Sequence, residues 1–355
     1  MSIRSHILAL SALFTLAAAP NGAEAQEVVQ PLPTAASAGA ADPSFAAYVR
    51  QLAAQARAQG VSEATIASMT AGLTPNSRVI ALDRSQPAGP PGSGFPPLAP
   101  YLAQHIDANR IGGGQRVYAA SGDLARQVER TYGVPAPVVI AIWGHETNYG
   151  TVKGDFDLAR SLASLAWEGR RRDLFAQEFV DVLKIADTGV PRSSLVGSYA
   201  GAFGNPQFLP SVYLRLAVDG DGDGRKDIWS NRTDTLLSIA NYFRDAGWRP
   251  EQPWGVGASV PAGFDIGAYK GEIVSPVCPR VHERFSQWKT VNEWKQLGVY
   301  PQAPIGDNVM VSLFQPDGPG TRAWLLTGNY RVILEYNCSN YYAMSVGLLA
   351  DEIVK

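Results

Sequence analysis

A mainly helical α+β fold is what this chain predicts, on three observations. Apolar residues recur at helical spacing in one segment after another between Phe45 and Ala246. From Trp254 onward the texture changes to short strand-like runs separated by Pro/Gly turns. Hydrophobic residues make up 46% of the 355 positions and charged residues only 17%, enough to bury a substantial core. The formal net charge of −2 and a pI near 6.1 provide no basic field, so nucleic acid and other polyanions are not indicated as partners.

Residues 1–25 read as a secretory signal peptide. Arg4 precedes an apolar run from Ile7 to Ala19, and Ala23, Glu24 and Ala25 give a small-x-small ending with cleavage after Ala25. A membrane anchor is the alternative, but the run is shorter than the ~20 residues needed to span. No Cys follows it to carry a lipid, and no later stretch is apolar enough to cross a bilayer. The mature chain is therefore expected to be soluble, outside the cytoplasm and without a transmembrane segment. Residues 26–43, rich in Ala, Pro, Ser and Gly, read as a flexible linker.

Residues 44–115 form a helical N-terminal region. Phe45 to Met69 is two short helices divided by Gly60, with Ser62 placed to cap the second. Gln86 to Pro100 is irregular, because its prolines lack donors and its glycines are floppy, and it is expected to wrap over another surface. Tyr101 to Arg110 and Gln115 to Tyr132 read as helices, with Gly112 to Gly114 breaking the chain between them.

Residues 116–253 carry the centre of the chain, GVPAPVVIAIWGHETNYG from Gly133 to Gly150. Pro135 and Pro137 suit a first helical turn, and Asn148 and Gly150 are stop signals. Val139, Ile142, Trp143 and Glu146 then share one face, which puts a carboxylate on the stripe that should be buried. Burial disfavours the ionised form and raises the pKa, as a general acid working near neutrality requires. The other reading is a Glu at the rim of a core helix, paired to an Arg. Two amphipathic helices follow, Leu158 to Trp167 and Arg170 to Ala186. Then comes GSYAGAFGNPQFLP, Gly197 to Pro210, whose small residues allow close approach of a ligand or of another helix, with Ser198 and Gln207 as its hydrogen-bonding groups.

The loop DGDGDGRKD supplies carboxylates at alternate positions, Asp219, Asp221 and Asp223, with Gly224 at the sharp turn and the Arg225 carbonyl after it. That is the first half of an EF-hand calcium loop. Position twelve is Ser230 instead of Glu, so a later carboxylate, Asp234 at the start of the helix to Ala246, would have to close the site. A solvated acidic turn is the alternative. Residues 254–326 read as a small mixed α/β unit with strands at Val309 to Phe314 and Ala323 to Leu326. Residues 327–355 give an extended approach to a final apolar helix, with Tyr336, Asn337, Ser339 and Tyr342 either lining a groove or satisfying a core edge. Cys278 and Cys338, the only two cysteines, are either joined, as an exported chain permits, or two free buried thiols.

Six motifs in order give the chain a family resemblance: DRSQP at Asp83 to Pro87, the Glu146 helix, SLASLAW followed by Arg170 and Arg171, GSYAGAFGNPQFLPSVY, the acidic loop with SIANYFRDAGW, and YNCSNYYA. The chain resembles the B-type lytic murein transglycosylases, glycoside hydrolase family 103, over most of its mature length. The resemblance implies a lysozyme-like catalytic core at 116–253 and a C-terminal segment at 327–355 returning to the groove. It implies Glu146 as catalytic acid and base within hydrogen-bond reach of Ser198. Gln207, Tyr242, Tyr336, Asn337, Tyr342, Arg170 and Arg171 would bind the glycan, and structural calcium would sit at the loop from Asp219. No organic cofactor is implied.

In that family one carboxylate serves where ordinary glycosidases use two. Glu146 would protonate the oxygen linking N-acetylmuramic acid to N-acetylglucosamine. It would then take the proton of the C6 hydroxyl as that group closes a 1,6-anhydro ring on C1. His145, about a quarter turn away on the helix, reads as structural. A water-using muramidase on the same fold would need a second carboxylate, for which Asp155 and Asp157 are nearest in sequence, and a non-catalytic wall-binding protein is the third reading. Peptidoglycan glycan strands are the expected partner, in the periplasm, with wall-synthesis proteins as further possible partners and a monomer as the expected state.

Overall fold

The computed structural model of the chain describes residues 43–85, 97–271, 281 and 284–355. The residues expected to form a signal peptide and linker up to residue 42, most of the stretch from Gln86 to Pro100, and Cys278 lie outside the described residues. Among the described residues no helix is long and apolar enough to cross a membrane.

Helices α1 (Pro43–Ala58) and α2 (Glu63–Thr70) part at Gly60, and the Ser62 hydroxyl caps α2 by accepting from Thr65 N at 3.3 Å. Helices α3 (Ser77–Arg84) and α4 (Leu98–His105) follow. Helix α5 (Ala108–Ala119) runs straight through Gly112 to Gly114, where a break was expected. Glycine costs helix stability but does not forbid it, and here Gly113 and Gly114 leave room for the Tyr149 ring, only 2.5 Å from where a Gly113 Cβ would stand. The chain turns later, at Ser121, into α6 (Gly122–Tyr132).

Helix α7 (Ala136–Thr147) carries Glu146. Its residues from Val138 to Gly144 are all buried, so it is a central helix enclosed on every side, not the one-faced helix that the spacing implied. Strand β1 (Phe156–Asp157) pairs antiparallel with β2 (Val196–Gly197), and between them run α8 (Leu158–Glu168) and α9 (Arg172–Asp187), packed on each other. Helices α10 (Pro210–Leu216) and α11 (Arg232–Asp245) complete this part.

The mixed unit is a five-stranded antiparallel sheet. Its strands are β3 (Gly255–Ser259), β4 (Trp288–Thr290), β5 (Tyr300–Pro301), β6 (Met310–Phe314) and β7 (Ala323–Leu326), in the order β4-β6-β7-β3-β5. Helix α12 (Val291–Gln296) starts with a Thr290/Glu293 capping box and buries Trp294, whose indole donates to Val311 O at 3.2 Å. The stretch after Thr327 is not extended. It forms α13 (Gly328–Tyr336), capped by Thr327, before Asn337 turns into α14 (Asn340–Ile353). The β-branched Val332 and Ile333 favour strand locally, but Tyr330, Ile333 and Leu334 bury together at helical spacing and decide the outcome.

The helices build two apolar cores that the chain visits alternately. One gathers Leu98, residues 125–143 and most of the buried residues after 236; the other gathers residues 45–79 and 158–228. Tyr242 and Tyr336 pack against both, so they stand at the seam.

Candidate active site

Glu146 lies in the last turn of α7 beside this seam. It keeps partial contact with solvent although protein surrounds its carboxyl, the combination expected at the floor of a cleft. Desolvation raises its pKa from an ordinary 4.5 to about 7, against the opposing effect of a hydrogen bond from Tyr342. That bond, Tyr342 Oη to Glu146 Oε1, is 2.5 Å long. Tyr342 is placed by its helix start, where the Ser339 hydroxyl accepts from Tyr342 N at 3.3 Å. Cys338, one residue earlier, is disulfide-bonded, and the chain's other cysteine, Cys278, is outside the described residues.

Ser198 is fully buried, and its hydroxyl accepts from Ala202 N at 3.0 Å. The side chain thus closes its own tight turn, and Tyr342, not Ser198, is the hydrogen-bond partner of Glu146. Gln207 holds a left-handed backbone, φ 52°, and its amide donates to Gly204 O at 2.8 Å. Tyr336 donates to Pro206 O, and Tyr242 to Glu335 O at 2.8 Å, so both hydroxyls tie one wall to the other. The Tyr242 and Tyr336 rings meet at 4.7 Å. After burial, the charge of Glu146 is the next largest influence holding the Tyr336 and Tyr342 phenols protonated, which places both rings beside the carboxylate. Oε1 of Gln207 and Oδ1 of Asn337 are buried acceptors with no protein partner, suited to donors such as amide N–H groups on a ligand.

Arg170 and Arg171, expected to bind the glycan, are both engaged by Asp83. Arg170 Nε donates to Asp83 Oδ2 at 2.8 Å and its Nη2 to Asp83 O at 2.7 Å, while Arg171 pairs with Asp83 Oδ1. The Asp83 carboxylate is nearly fully buried and needs both cations. The pair therefore ties α3 to the turn between α8 and α9, a use that spacing in the sequence could not distinguish from sugar binding.

Sequence reasoning missed three aromatic residues behind Glu146. Tyr101 of α4, its phenol pushed up to about 12 by burial, stacks on His105 at 3.8 Å, and His105 in turn stacks on His145 at 6.2 Å. His145 contacts the Tyr342 ring at 5.6 Å. Burial, aided by the Arg110 charge, lowers the His145 pKa to about 3, so it packs as a neutral ring. Tyr149 is the third. Nothing in the sequence links α4 to α7, and only Tyr149 stood within a motif.

In the acidic loop, carboxylate oxygens of Asp219, Asp221 and Asp223 lie within 4.8 Å of one another. Asp219 Oδ1 accepts from Gly222 N at 2.7 Å and Oδ2 from Gly224 N at 2.8 Å, which curls the loop around them. An all-oxygen anionic set of this kind fits a hard divalent cation. Asp234 does not join it. Fully buried, its carboxylate accepts from Gly220 N at 2.7 Å and Asp227 N at 2.6 Å, fastening both ends of the loop instead of closing a coordination shell.

Comparison with known proteins gives the family. The profile described as the transglycosylase SLT domain matches residues 44–351. The membrane-bound lytic murein transglycosylase B of Escherichia coli is 30% identical over 270 residues, 75% of this chain and 69% of that protein. Crystalline SltB3 from Pseudomonas aeruginosa in complex with NAG-anhNAM-pentapeptide superposes with a TM-score of 0.78 at 37% identity, covering 88% of this chain and 80% of that one. The Escherichia coli lytic transglycosylase Slt35 in complex with calcium gives a TM-score of 0.69 at 26% identity, covering 88% and 93%. The chain belongs to the transglycosylase SLT domain family.

Proposed function

We propose that this lytic transglycosylase cleaves the MurNAc-GlcNAc bond of peptidoglycan with Glu146 as its single acid and base. One observation carries the reading: a partly exposed carboxyl walled in by protein and hydrogen-bonded by Tyr342, whose pKa burial raises to about 7. Protonated Glu146 donates to the glycosidic oxygen, and the acetamido oxygen of the muramic residue supports C1 as that bond breaks. The resulting carboxylate takes the C6 hydroxyl proton, the C6 oxygen bonds to C1, and the acid is regenerated without water.

A hydrolytic muramidase on this fold is the weaker reading. Of its two candidate second carboxylates, Asp157 caps α8, accepting from Arg160 N at 2.9 Å, and pairs with Arg192 at 2.9 Å. Asp155 is exposed. Incubation with purified sacculi tests the choice. Release of 1,6-anhydro-muropeptides is expected; reducing-end muropeptides alone would replace the lyase with a hydrolase, and no release would leave a binding protein.

The relatives' substrate and calcium complexes support further parts of the proposal. The partner is the glycan strand with its stem peptides, met in the periplasm by a monomer delivered through the signal segment. Asp219, Asp221 and Asp223, with the Arg225 carbonyl, would hold structural calcium. Calcium at 100-fold over its dissociation constant is expected to raise the Tm by about 5 °C, because it binds the folded loop alone. Superimposable melting curves in chelator and in excess calcium would remove the metal site.

A further inference from the structure

The chain leaves α7 through three consecutive left-handed residues, Asn148 (φ 48°), Tyr149 (φ 59°) and Gly150 (φ 85°). Glycine adopts this conformation freely and asparagine tolerates it, whereas for a bulky aromatic it is an outlier. Such a residue persists only where its surroundings over-determine it. Here they do. A Cβ added to Gly113 would stand 2.5 Å from the Tyr149 ring, one on Gly114 2.8 Å from its hydroxyl oxygen, and one on Gly144 2.6 Å from its Cζ and Oη. The phenol donates to Arg110 O at 2.7 Å, and Trp143 meets the ring edge-on at 6.1 Å. The helix end is sealed over it by Asn148 N to Gly144 O, 3.1 Å, and Tyr149 N to Trp143 O, 3.3 Å.

Gly144 and Glu146 are two positions apart, about 200° around the helix. The ring therefore grips the back of α7 while the carboxyl faces the cleft from the front. We propose that Tyr149 is a positioning residue for the reaction: seated in a slot of three glycines from α5 and α7, its ring fixes the rotation and the end of α7, and so the place of the Glu146 carboxyl. Turning α7 even slightly would carry that carboxyl away from the Tyr342 hydroxyl and open the floor of the cleft to water. The inference rests on the reading of Glu146 as acid and base. It also gives Gly113 and Gly144 a shared reason, since the same ring occupies the space beside each, while at Gly114 the Ile353 side chain, 2.6 Å from a Cβ, shares that space with the Tyr149 hydroxyl.

The test uses Tyr149→Leu, Gly144→Ala and Tyr149→Phe in the full chain, beside Glu146→Gln. On a soluble glycan fragment, Tyr149→Leu and Gly144→Ala are expected to lower kcat by about tenfold or more and to leave KM within about twofold. The descending limb of the kcat profile should move to lower pH as water reaches the carboxyl. Tyr149→Phe, which keeps the ring, should stay within about threefold of wild type. If Tyr149→Leu is not recovered folded, Gly144→Ala is read alone. A folded variant with a lowered Tm but unmoved kcat and pH limb overturns the proposal, making Tyr149 merely structural. An active Glu146→Gln would instead overturn the catalytic reading beneath it, so the two failures are told apart.

Discussion

Replacing Glu146 with glutamine is expected to lower glycan cleavage by about 10³-fold or more while making the protein more stable at neutral pH. The amide keeps the shape of the side chain but can neither give nor take the proton. The stability gain has a pH signature. Burial raises the folded-state pKa of Glu146 from an ordinary 4.5 to about 7, so between those values the folded chain keeps a proton that the unfolded chain has released. Its contribution is fully present below pH 4.5 and is lost as pH rises through about 7. Glutamine removes the dependence. The stability difference between variant and wild type should thus grow across this window and level off above it, at about 3 kcal/mol. Glu178, also raised to about 7 by burial, titrates in both proteins and cancels. A variant that stays active, or a Tm difference flat with pH, would contradict the assignment. In the wild type, kcat should decline as pH passes about 7, since the acid must start protonated.

Gly154→Ala is the second large effect expected. A Cβ there would stand 2.1 Å from both the carbonyl carbon and oxygen of Gly197, and 2.6 Å from Ser198 N. These are backbone atoms on the strand that leads into the site, and they have no rotamer by which to yield. The substitution should force β1 and β2 apart and cost about 3 kcal/mol, a fall of about 6 °C in Tm, with activity lost in parallel. Gly306→Ala is the control, with only Val309 Cγ2 near, at 3.5 Å. Equal melting temperatures for the two variants would show that the loop gives way where the structure shows contact.

Local chemistry made much of this architecture legible. The capping role of Ser62, the division at Gly60, the helices flanking Glu146 and the strand Ala323–Leu326 all follow from residues close in sequence. What escaped depends on partners far away. Gly113 and Gly114 read as a break because the side chains that fill their space, Tyr149 from the turn after α7 and Ile353 from the end of α14, come from far along the chain. Arg170 and Arg171 read as sugar ligands because their counter-ion, Asp83, sits 87 or more positions earlier. Asp234 read as a metal ligand, since a carboxylate at a loop end satisfies either a cation or two backbone N–H groups, and only the fold decides between them. Tyr342 was legible as a groove residue through its motif, but its 2.5 Å bond to Glu146 spans 196 positions.

The alternation of the chain between its two helical cores limits how the enzyme can be dissected. Residues 45–79 and 158–228 share one core, while residues 98–143 and most of the buried residues after 236 share the other, the sheet keeping a smaller cluster of its own. No single cut between residues 98 and 228 leaves either core whole on one fragment. A minimal catalytic piece cannot therefore be obtained by trimming from an end; nicking the connections should inactivate the protein, whereas joining new termini at the surface would preserve both walls.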